Sequence, residues 1–483
     1  MTLFGRLLRN AGFSILANLL NRTANTILFI LISRTLGPAE AGTYSLAISY
    51  FFIGARVASW GLNHLLTREV ARRREQAGRY LVNFVILRAG LAITAIGAIA
   101  VLIRFLPYSQ PTRSVILIVI LAILPENISD ICQALFMAFE KMGYLSVVAF
   151  MGAVIKLALG AYFFWQGWNT ETVAIIYTGT TSLIMIANLA IALFQLTRPV
   201  WLFDWAFCRQ QVRIAIPFVF VSVFFIMDNR LGIVLLSLLG NEEMVGHYSA
   251  AMTIVSALMM LPEGYRTAVF PVMAHFQTQS EAAVTRLYAQ SFKYLLLLAL
   301  PLATGMMLVA NDVIALVYKP DFAPAGPVLS VIVWSLGFFF LNMINSRLLI
   351  VNDRQDLIAR SLLVNTVVTV VLNVLLVPLF GVLGAAIAKA TTAALLFVQY
   401  SLAAKRHLKN FSPWPYLGRP VAASALMTIS VLIAHSYSLF IQIGVGAAVY
   451  LVTLVVTGTF PPEERTMWLQ ILSRRGRTAS VRS

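Results

Sequence analysis

The chain has 483 residues, of which 59% are hydrophobic and 11% are charged, and its mean hydropathy is +0.83. Soluble domains carry roughly 25% charged residues, so this composition excludes an ordinary globular enzyme, a disordered chain and a coiled coil. It predicts an all-α polytopic membrane protein. Fourteen helices of about 20 residues would need about 280 membrane residues, which is close to the apolar content of the chain.

Apolar stretches of 18 or more residues recur along the chain, and each is long enough to cross a bilayer. Two further segments, 64–80 and 274–292, predict amphipathic helices that lie on the inner membrane surface, because Arg and Glu alternate there with Leu and Val. The fourteen predicted spans are 13–33, 43–63, 81–103, 114–138, 144–164, 172–196, 214–238, 245–270, 294–317, 326–349, 357–377, 382–400, 420–437 and 440–458.

The distribution of charge predicts the orientation in the membrane. Lys and Arg number 36 against 19 Asp and Glu, a net charge of +17. Of the cations, 25 fall in connections or in the first or last four residues of a span on the side of the N-terminus, 4 on the opposite side and 7 deeper inside spans. Cytoplasmic loops carry the excess of Lys and Arg, so we expect both termini in the cytoplasm. The basic excess is then a topology signal, and no nucleic-acid partner is expected.

Two short motifs recur in the same order and indicate an internal repeat. LGPAEAGTYS from Leu36 returns as LGNEEMVGHYS from Leu239, and LFMAFEK from Leu135 is matched by LLIVNDR from Leu348. The offsets are 203 and 213 residues. Each repeat holds six spans, so the halves share one orientation and are related by an axis along the membrane normal. The predicted divisions are an N-terminal lobe (1–200), a C-terminal lobe (201–410), two additional helices (411–460) and a basic cytoplasmic tail (461–483).

Three stretches resemble a known family: SRTLGPAEAGTYSLA from Ser33, GLNHLLTREVA from Gly61 and NVLLVPLFGVLGAAIA from Asn373. They are similar to motifs of the polysaccharide and O-antigen repeat-unit flippases, in the multidrug/oligosaccharidyl-lipid/polysaccharide exporter superfamily. The resemblance implies two six-helix lobes facing each other in a V, with two added helices. It also implies flipping of an undecaprenyl-diphosphate-linked oligosaccharide across a bacterial or archaeal inner membrane, for O-antigen, capsule or exopolysaccharide synthesis. Membrane lipids and other polysaccharide-assembly proteins are the further partners it implies.

Charged residues inside the predicted spans require an explanation, because each costs at least about 2.5–3.5 kcal/mol at a helix centre. Seven cations face four anions, and such residues normally line a bundle interior or an aqueous cavity. We predict a cationic cavity that attracts a lipid diphosphate, since arginine binds phosphate in a bidentate manner. Lys389 lies in the outer half of its span and is expected to extend to the membrane surface. The predicted cavity cations are Arg22, Arg56, Arg88, Lys156, Arg230 and Arg266.

The anions allow two interpretations. Glu126 and Asp130 are four residues apart on one helix face, so they either hold a proton or Na⁺ or neutralise a nearby cation such as Arg88 or Lys156. Asp228 is a third candidate for ion coupling and needs a partner from another helix. Glu263 and Arg266 are three residues apart and predict a local ion pair.

The first predicted span carries a polar stripe of Asn18, Asn21, Arg22 and Asn25, which indicates either a wet face or hydrogen bonds between helices. The sequence shows no HExxH motif and no Cys/His cluster, so we expect no metal, no catalytic residue and no cofactor other than a coupling H⁺ or Na⁺.

Three alternatives to an oligosaccharide flippase stay open. A lipid II flippase is the nearest, since it would also have fourteen helices and a cationic cavity. A drug antiporter of the same superfamily usually has twelve helices and a less cationic cavity. A membrane glycosyltransferase or polymerase generally needs an acidic motif or a large outer loop, and Glu242-Glu243 is the single outward acidic pair in the sequence. A P-loop is absent from the sequence, which excludes an ATP-driven pump for this chain alone.

Overall fold

The computed structural model describes residues 3–167, 169–201, 203–262, 273, 281–408 and 411–459. Across these ranges the chain forms α-helices joined by short turns, with no β-strand. The helices are α1 (Leu3–Leu36), α2 (Pro38–Ser59), α3 (Leu62–Arg72), α4 (Ala77–Phe105), α5 (Gln110–Ile120), α6 (Ile123–Ala138), α7 (Gly143–Gln166), α8 (Thr170–Gln195), α9 (Trp205–Leu239), α10 (Glu242–Leu258), α11 (Glu281–Leu308), α12 (Ala310–Val317), α13 (Ala325–Ile332), α14 (Trp334–Val351), α15 (Gln355–Phe380), α16 (Val382–Lys405), α17 (Trp414–Ile433) and α18 (Leu439–Val456).

The prediction of an all-α polytopic membrane protein is confirmed. Twelve helical stretches of the described residues are long and apolar enough to cross a membrane. Two of them are broken into consecutive helices, α5 with α6 and α13 with α14, which lie at corresponding places in the two repeats. We call the end of the molecule where α1 begins the inner end, and the opposite end the outer end.

The two remaining predicted spans correspond to α2 and α10, and their surroundings explain their weaker apolar signal. Residues 41–51 of α2 are buried all round, polar Thr43, Ser45 and Ser49 among them. In α10, residues 245–251 are likewise buried on every side. Because other helices rather than lipid enclose these segments, their side chains need not be uniformly apolar. The predicted span 245–270 continues past α10 into residues outside those described.

Of the two predicted surface segments, 64–80 contains a short separate helix, whereas the described part of 274–292 does not form a helix of its own. After α2, Trp60 and Gly61 both take positive φ values, 49° and 64°, and turn the chain into the short helix α3. A 3₁₀ turn at Arg74–Gln76 then leads into α4. In the second half, Glu281 onwards is the first part of the continuous helix α11. The beginning of the 274–292 prediction lies outside the described residues.

Among the described residues, the largest hydrophobic cluster joins the two halves near the outer end. The largest buried cluster combines Leu28 and Phe51 from the first half with Val245, Ile314 and Phe340 from the second, near the outer end. At the inner end the clusters are separate. One holds the residues around Leu66, Leu81 and Leu135, together with Ala215 of α9, and the other holds those around Tyr288, Phe292 and Leu348. The pair α17 and α18 packs against α11, where Tyr450 donates a hydrogen bond to the carbonyl of Leu297 at 2.9 Å.

Candidate functional site

The two copies of the sequence repeat meet directly at the outer end. A Cβ atom placed on Gly42 of α2 would lie 1.8 Å from the carbonyl oxygen of Glu242 in α10, and one on Gly246 of α10 would lie 1.9 Å from the carbonyl oxygen of Pro38. Only glycine permits such close backbone approach. The repeated glycine therefore brings α2 and α10 together across the boundary between the lobes.

Polar contacts add to this outer seal, which we define as the contacts of Gly42, Thr112, Tyr108 and Arg34 with the second lobe. Thr112 Oγ1 donates to Glu242 Oε1 at 3.1 Å. The hydroxyls of Tyr108 and Ser237 are 2.9 Å apart, and Arg34 donates to the carbonyl of Leu316 at 3.4 Å. Each contact joins one lobe to the other, so opening the outer end requires breaking all of them.

The inner halves of α2 and α10 are buried on one side only. After Phe51, burial in α2 is limited to Gly54, Ala58 and Ser59, while Arg56 is exposed. In α10 only Val255 is buried after Ala251, and Ser256 is exposed. Both helices lie at the lobe boundary, and we interpret their exposed inner sides as facing the predicted cavity between the lobes. We call this predicted cavity the chamber; we expect the outer seal to close it and Arg22, Asn25, Arg56 and Ser256 to border it.

Cations of three helices border the chamber on the side of the first lobe. Arg22 and Asn25 of α1 are exposed, and so is Arg56 of α2. Lys156 of α7 is only 7% exposed; its Nζ donates to Asn25 Oδ1 at 2.8 Å and lies 5.2 Å from the ring centroid of Tyr177. The predicted polar stripe on α1 thus combines both interpretations, since Asn25 bonds to a neighbouring helix while Arg22 is open to solvent.

Arg230 of the second lobe points at the first lobe. Its guanidinium carbon lies 4.5 Å from the ring centroid of Phe52 in α2. The tyrosines Tyr44 and Tyr177 of the first lobe are within its electrostatic reach. This cation therefore crosses the boundary that the repeat predicts, above the inner opening of the chamber.

Arg88 occupies a different place from the one predicted. Its side chain is fully buried, and it donates from Nη1 to the carbonyl of Asn127 and from Nη2 to the carbonyl of Ser59, both at 3.0 Å. Ser59 is the last residue of α2, where carbonyl groups lack partners within the helix. Arg88 supplies donors for that helix end and is buried inside the first lobe, within electrostatic reach of Arg56 and Glu126.

The two stacked carboxylates of α6 have different polar neighbours. Asp130 Oδ2 accepts from Asn63 Nδ2 at 3.1 Å. Glu126 lies within electrostatic reach of Lys156, Arg56 and Arg88, as well as of Asp130. The structure thus brings Glu126 together with the predicted cavity cations.

In the second lobe Asp228 forms an ion pair that the sequence analysis missed. Lys389 Nζ lies 2.9 Å from Asp228 Oδ2 and 2.9 Å from its carbonyl oxygen, and Asn365 Nδ2 donates to the other carboxylate oxygen. Both side chains of the pair are 12% exposed. The expectation that Lys389 extends to the membrane surface is wrong, because a buried carboxylate on α9 holds its ammonium group.

The repeat contains a signal that would have pointed to Asp228. It follows Asn25 by 203 residues, the same offset as the glycine motifs. In the first lobe this position binds the cation Lys156, and in the second it binds the cation Lys389. Each lobe thus holds a largely buried lysine against this position, although Lys156 lies on the fifth predicted span of its lobe and Lys389 on the sixth. Arg266 and Glu263 lie outside the described residues, where their predicted pairing stays a prediction.

Helix α9 connects the two lobes by belonging to both. Its N-cap Asp204 accepts from the backbone N–H of Phe207 at 2.9 Å and from Arg79 Nη2 of α4 at 2.7 Å. Both bonds hold the pKa of Asp204 below its ordinary value. The bond from the backbone N–H has the larger effect, and the bond from the guanidinium of Arg79 comes next. Further along, Ala215 packs into the inner cluster of the first lobe, whereas Val221 packs into a cluster of the second.

The described residues contain no group of three or more His, Cys, Asp or Glu side chains placed to hold a metal ion.

Comparison with known proteins gives consistent matches. The family described as "Polysaccharide biosynthesis protein" matches residues 7–277. A relative from Haloferax volcanii, the probable low-salt glycan biosynthesis flippase Agl15, is 20% identical over 453 residues, which cover 91% of this chain and 93% of the relative. The probable flippase AglR of the same organism is 24% identical over 208 residues, 42% of this chain and 44% of that protein.

Solved structures share the fold. The lipid II flippase MurJ, in an inward closed conformation, superposes with a TM-score of 0.78 at 14% identity, covering 92% of this chain and 98% of that one. An inward-facing multidrug resistance MATE family transporter of the MOP superfamily superposes with a TM-score of 0.66 at 15% identity, covering 81% and 96%. At these identities the likeness concerns the fold alone.

Proposed function

Because the chain belongs to the polysaccharide biosynthesis protein family, we propose that it is a flippase for lipid-linked oligosaccharides with a diphosphate link. One observation carries the proposal: the predicted cavity cations Arg22 and Arg56 are exposed, Lys156 donates to Asn25 of the same helix as Arg22, and Arg230 of the second lobe lies over Phe52 of α2. The names of the Haloferax relatives support it. The chain is in this view a transporter and not an enzyme.

The chamber's chemistry fits a diphosphate. The exposed side chain of Arg22 has no hydrogen-bond partner among the described residues, so its guanidinium is available to a ligand. Arg56 has Glu126 as an electrostatic neighbour. Guanidinium groups bind phosphate oxygens through two parallel hydrogen bonds. We infer that Arg22 and Arg56 hold the diphosphate, while Lys156 and Arg230 add positive potential. Arg88 supports the end of α2 and is not part of this contact.

The closed outer seal determines the order of steps in the proposed transport cycle. With the outer end closed, the head group enters the chamber from the inner side, and its diphosphate meets the cations. Release on the other side needs the outer seal to open and the inner ends to approach. We further infer that both termini lie in the cytoplasm of a bacterial or archaeal cell; a reporter fused at Asn241 would then report outside.

Coupling to a gradient is a separate part of the proposal. Glu126 is the carboxylate nearest the chamber's cations, so an incoming phosphate competes with it for the same partners. A Glu126 that loses its cations is stabilised by taking up H⁺ or Na⁺. Asp130 and Asp228 are weaker candidates, because Asn63 bonds the first and Lys389 pairs with the second.

A lipid II flippase is the second candidate, favoured by the fold shared with MurJ over 92% of the chain. Both substrates carry a diphosphate, so the chamber cations serve either one. A drug antiporter fits less well, since organic cations would be repelled by this chamber.

The test is a flipping assay in proteoliposomes with three fluorescent lipids: a lipid-diphosphate oligosaccharide, lipid II and a neutral glycosyl lipid. Replacing Arg56 or Arg22 by Gln should lower flipping of the diphosphate lipids by about tenfold or more, since hydrogen bonds to charged groups contribute roughly 1.5–3 kcal/mol. Arg56→Lys should keep part of the rate. Arg104→Gln, an exposed cation at the outer end of α4, is the matched control. Wild-type rates in both chamber variants would place the site elsewhere.

Coupling is tested in the same vesicles with an imposed proton or sodium gradient. Glu126→Gln should leave substrate binding intact and remove the dependence of flipping on the gradient. Asp130→Asn should keep it, because the amide still bonds to Asn63. Gradient dependence that survives Glu126→Gln would contradict this assignment and leave the flippase proposal intact.

A further inference from the structure

The chain between α8 and α9 exposes a cluster of aromatic side chains, which we call the connector patch. Trp201 is 84% exposed, Phe203 48% and Trp205 64%, and the ring centroids of Phe203 and Trp205 are 6.3 Å apart. All three lie between the predicted spans 172–196 and 214–238, so lipid contact along a spanning helix does not explain their exposure. Exposed apolar patches outside such helices mark surfaces that bind a protein partner or a membrane.

Backbone and side-chain bonds hold this segment on the inner end of α4. The backbone N–H of Val200 donates to the carbonyl of Gly78 at 3.4 Å, and a Cβ atom on Gly78 would lie 2.1 Å from the carbonyl oxygen of Arg198. The backbone N–H of Asp204 donates to Asn83 Oδ1 at 2.7 Å. The segment is therefore fixed to the first lobe while its aromatic rings stay exposed.

The connector patch lies at the level where α4 enters the membrane. Phe207, two residues after Trp205, packs edge to face on Tyr80 with ring centroids 4.9 Å apart, and Tyr80 directly precedes the predicted span 81–103. On the other side of the patch, α8 ends at Gln195. Of the most apolar 18 residues of α4 only 17% are buried, so most of this helix faces lipid. The head groups of the inner leaflet, the one at the inner end, therefore surround the segment.

Exposed cations accompany the rings. Arg198 precedes the connector patch and Arg209 follows it, and both are exposed. The carboxylate of Asp204 lies 2.7 Å from Arg79 Nη2, and this pair carries no net charge. Aromatic rings next to arginines are typical of segments in the head-group region, where the rings lie between lipid and water and the guanidinium groups reach the phosphates.

We propose that the connector patch inserts among the head groups of the inner leaflet and binds anionic phospholipids there. The rings of Trp201, Phe203 and Trp205 pack against the upper part of the acyl chains, and Arg198 and Arg209 bind the lipid phosphates. A soluble protein would have to displace head groups to reach the rings at this depth. Because the segment is bonded to α4, the patch fixes the inner end of the first lobe at one depth in the bilayer. This inference does not depend on the transported substrate.

The experiment uses the full-length protein in nanodiscs made of equal parts phosphatidylglycerol and phosphatidylcholine. Ala206→Cys, exposed and next to the patch, carries a maleimide-linked diazirine, and both native cysteines are buried. After illumination, mass spectrometry should find adducts with lipid, more with phosphatidylglycerol than with phosphatidylcholine. Arg198→Gln and Arg209→Gln should each lower that ratio about fivefold, the effect of one cation near an anionic surface. The control K405Q/R406Q removes two exposed cations at the inner end of α16 and should change it less than about twofold.

The same label tests the rings. W201S/W205S should lower the ratio of lipid adducts to water adducts about tenfold or more, because burial of one large apolar side chain changes an equilibrium by about that factor. Phe105→Ser removes an aromatic ring that is 83% exposed at the outer end of α4, and it should leave the ratio unchanged.

Three results would overturn the proposal. Water adducts without lipid adducts in the unsubstituted patch would show that the segment stays outside the bilayer and is free for a soluble partner. Equal yields with the two lipids, unaffected by Arg198→Gln and Arg209→Gln, would overturn the binding of anionic lipid. Equal losses in these variants and in K405Q/R406Q would indicate general surface attraction. The arginine variants change exposed side chains alone, so they decide the matter even if W201S/W205S fails to fold.

Discussion

Replacing Gly246 by Ala should open the outer seal. The added Cβ would lie 1.9 Å from the carbonyl oxygen and 2.7 Å from the carbonyl carbon of Pro38, where ordinary contacts begin at about 3.4 Å. Both atoms belong to backbone, so α2 and α10 must separate by about 1.5 Å. Overpacking of this kind costs about 1–3 kcal/mol. At about 1.4 kcal/mol per tenfold, the population closed on the outer side should fall about fivefold to 150-fold relative to the open one.

Accessibility of a cysteine measures this shift. Thr112 is 3% exposed and bonds to Glu242 in the seal, and both native cysteines are buried. Thr112→Cys should therefore react slowly with an impermeant maleimide added from outside, and at least about fivefold faster when Gly246→Ala is also present. Gly90→Ala is the control, since its Cβ would meet no atom within 4 Å. An unchanged labelling rate in folded Gly246→Ala protein would refute the reasoning that the glycine contact closes the outer end.

Three further outcomes are expected. Asp228→Asn should lower the thermal midpoint strongly, since breaking one side of a buried pair costs about 3–5 kcal/mol, and adding Lys389→Gln should recover most of it; no recovery would contradict the pairing. Arg88→Gln should lower folded yield at unchanged flipping per folded molecule, measured by size-exclusion chromatography and the vesicle assay. The pKa of Asp204 is lower in the folded protein than in the unfolded chain, where an Asp carboxyl has a pKa of about 4. The ionised carboxylate therefore stabilises the fold above about pH 4, and this contribution is lost as the pH falls through the folded pKa. The midpoint difference between wild type and Asp204→Asn should accordingly shrink on acidification, and a pH-independent difference would contradict the role of the carboxylate.

The periodic apolar pattern was sufficient to predict the helices, because every span that faces lipid must present apolar side chains to it. The repeat at Leu36 and Leu239 predicted two halves of equal orientation, and the structure adds that the two copies touch. That contact depends on the missing Cβ of Gly42 and Gly246, which hydropathy does not register.

Individual charged side chains were harder to place than helices. Arg88 and Arg56 look alike in sequence, yet one bonds backbone carbonyls inside a lobe and the other borders the chamber. The difference arises from the rotation of each helix about its axis, which packing determines. Lys389 and Asp228 are 161 residues apart, so their pairing required the spatial arrangement of α9 and α16.

Helix α9 is attached to both lobes, so the two lobes are not equivalent, although the sequence repeat predicts two similar halves. On one flank α9 is bonded to the first lobe at Asp204 and packs into the second lobe from Val221. Helix α1, by contrast, packs along α7 of its own lobe and meets α10 of the other. Because one continuous helix carries both attachments of α9, any change in the relative position of the two lobes must either bend α9 between Ala215 and Val221 or break one of these attachments.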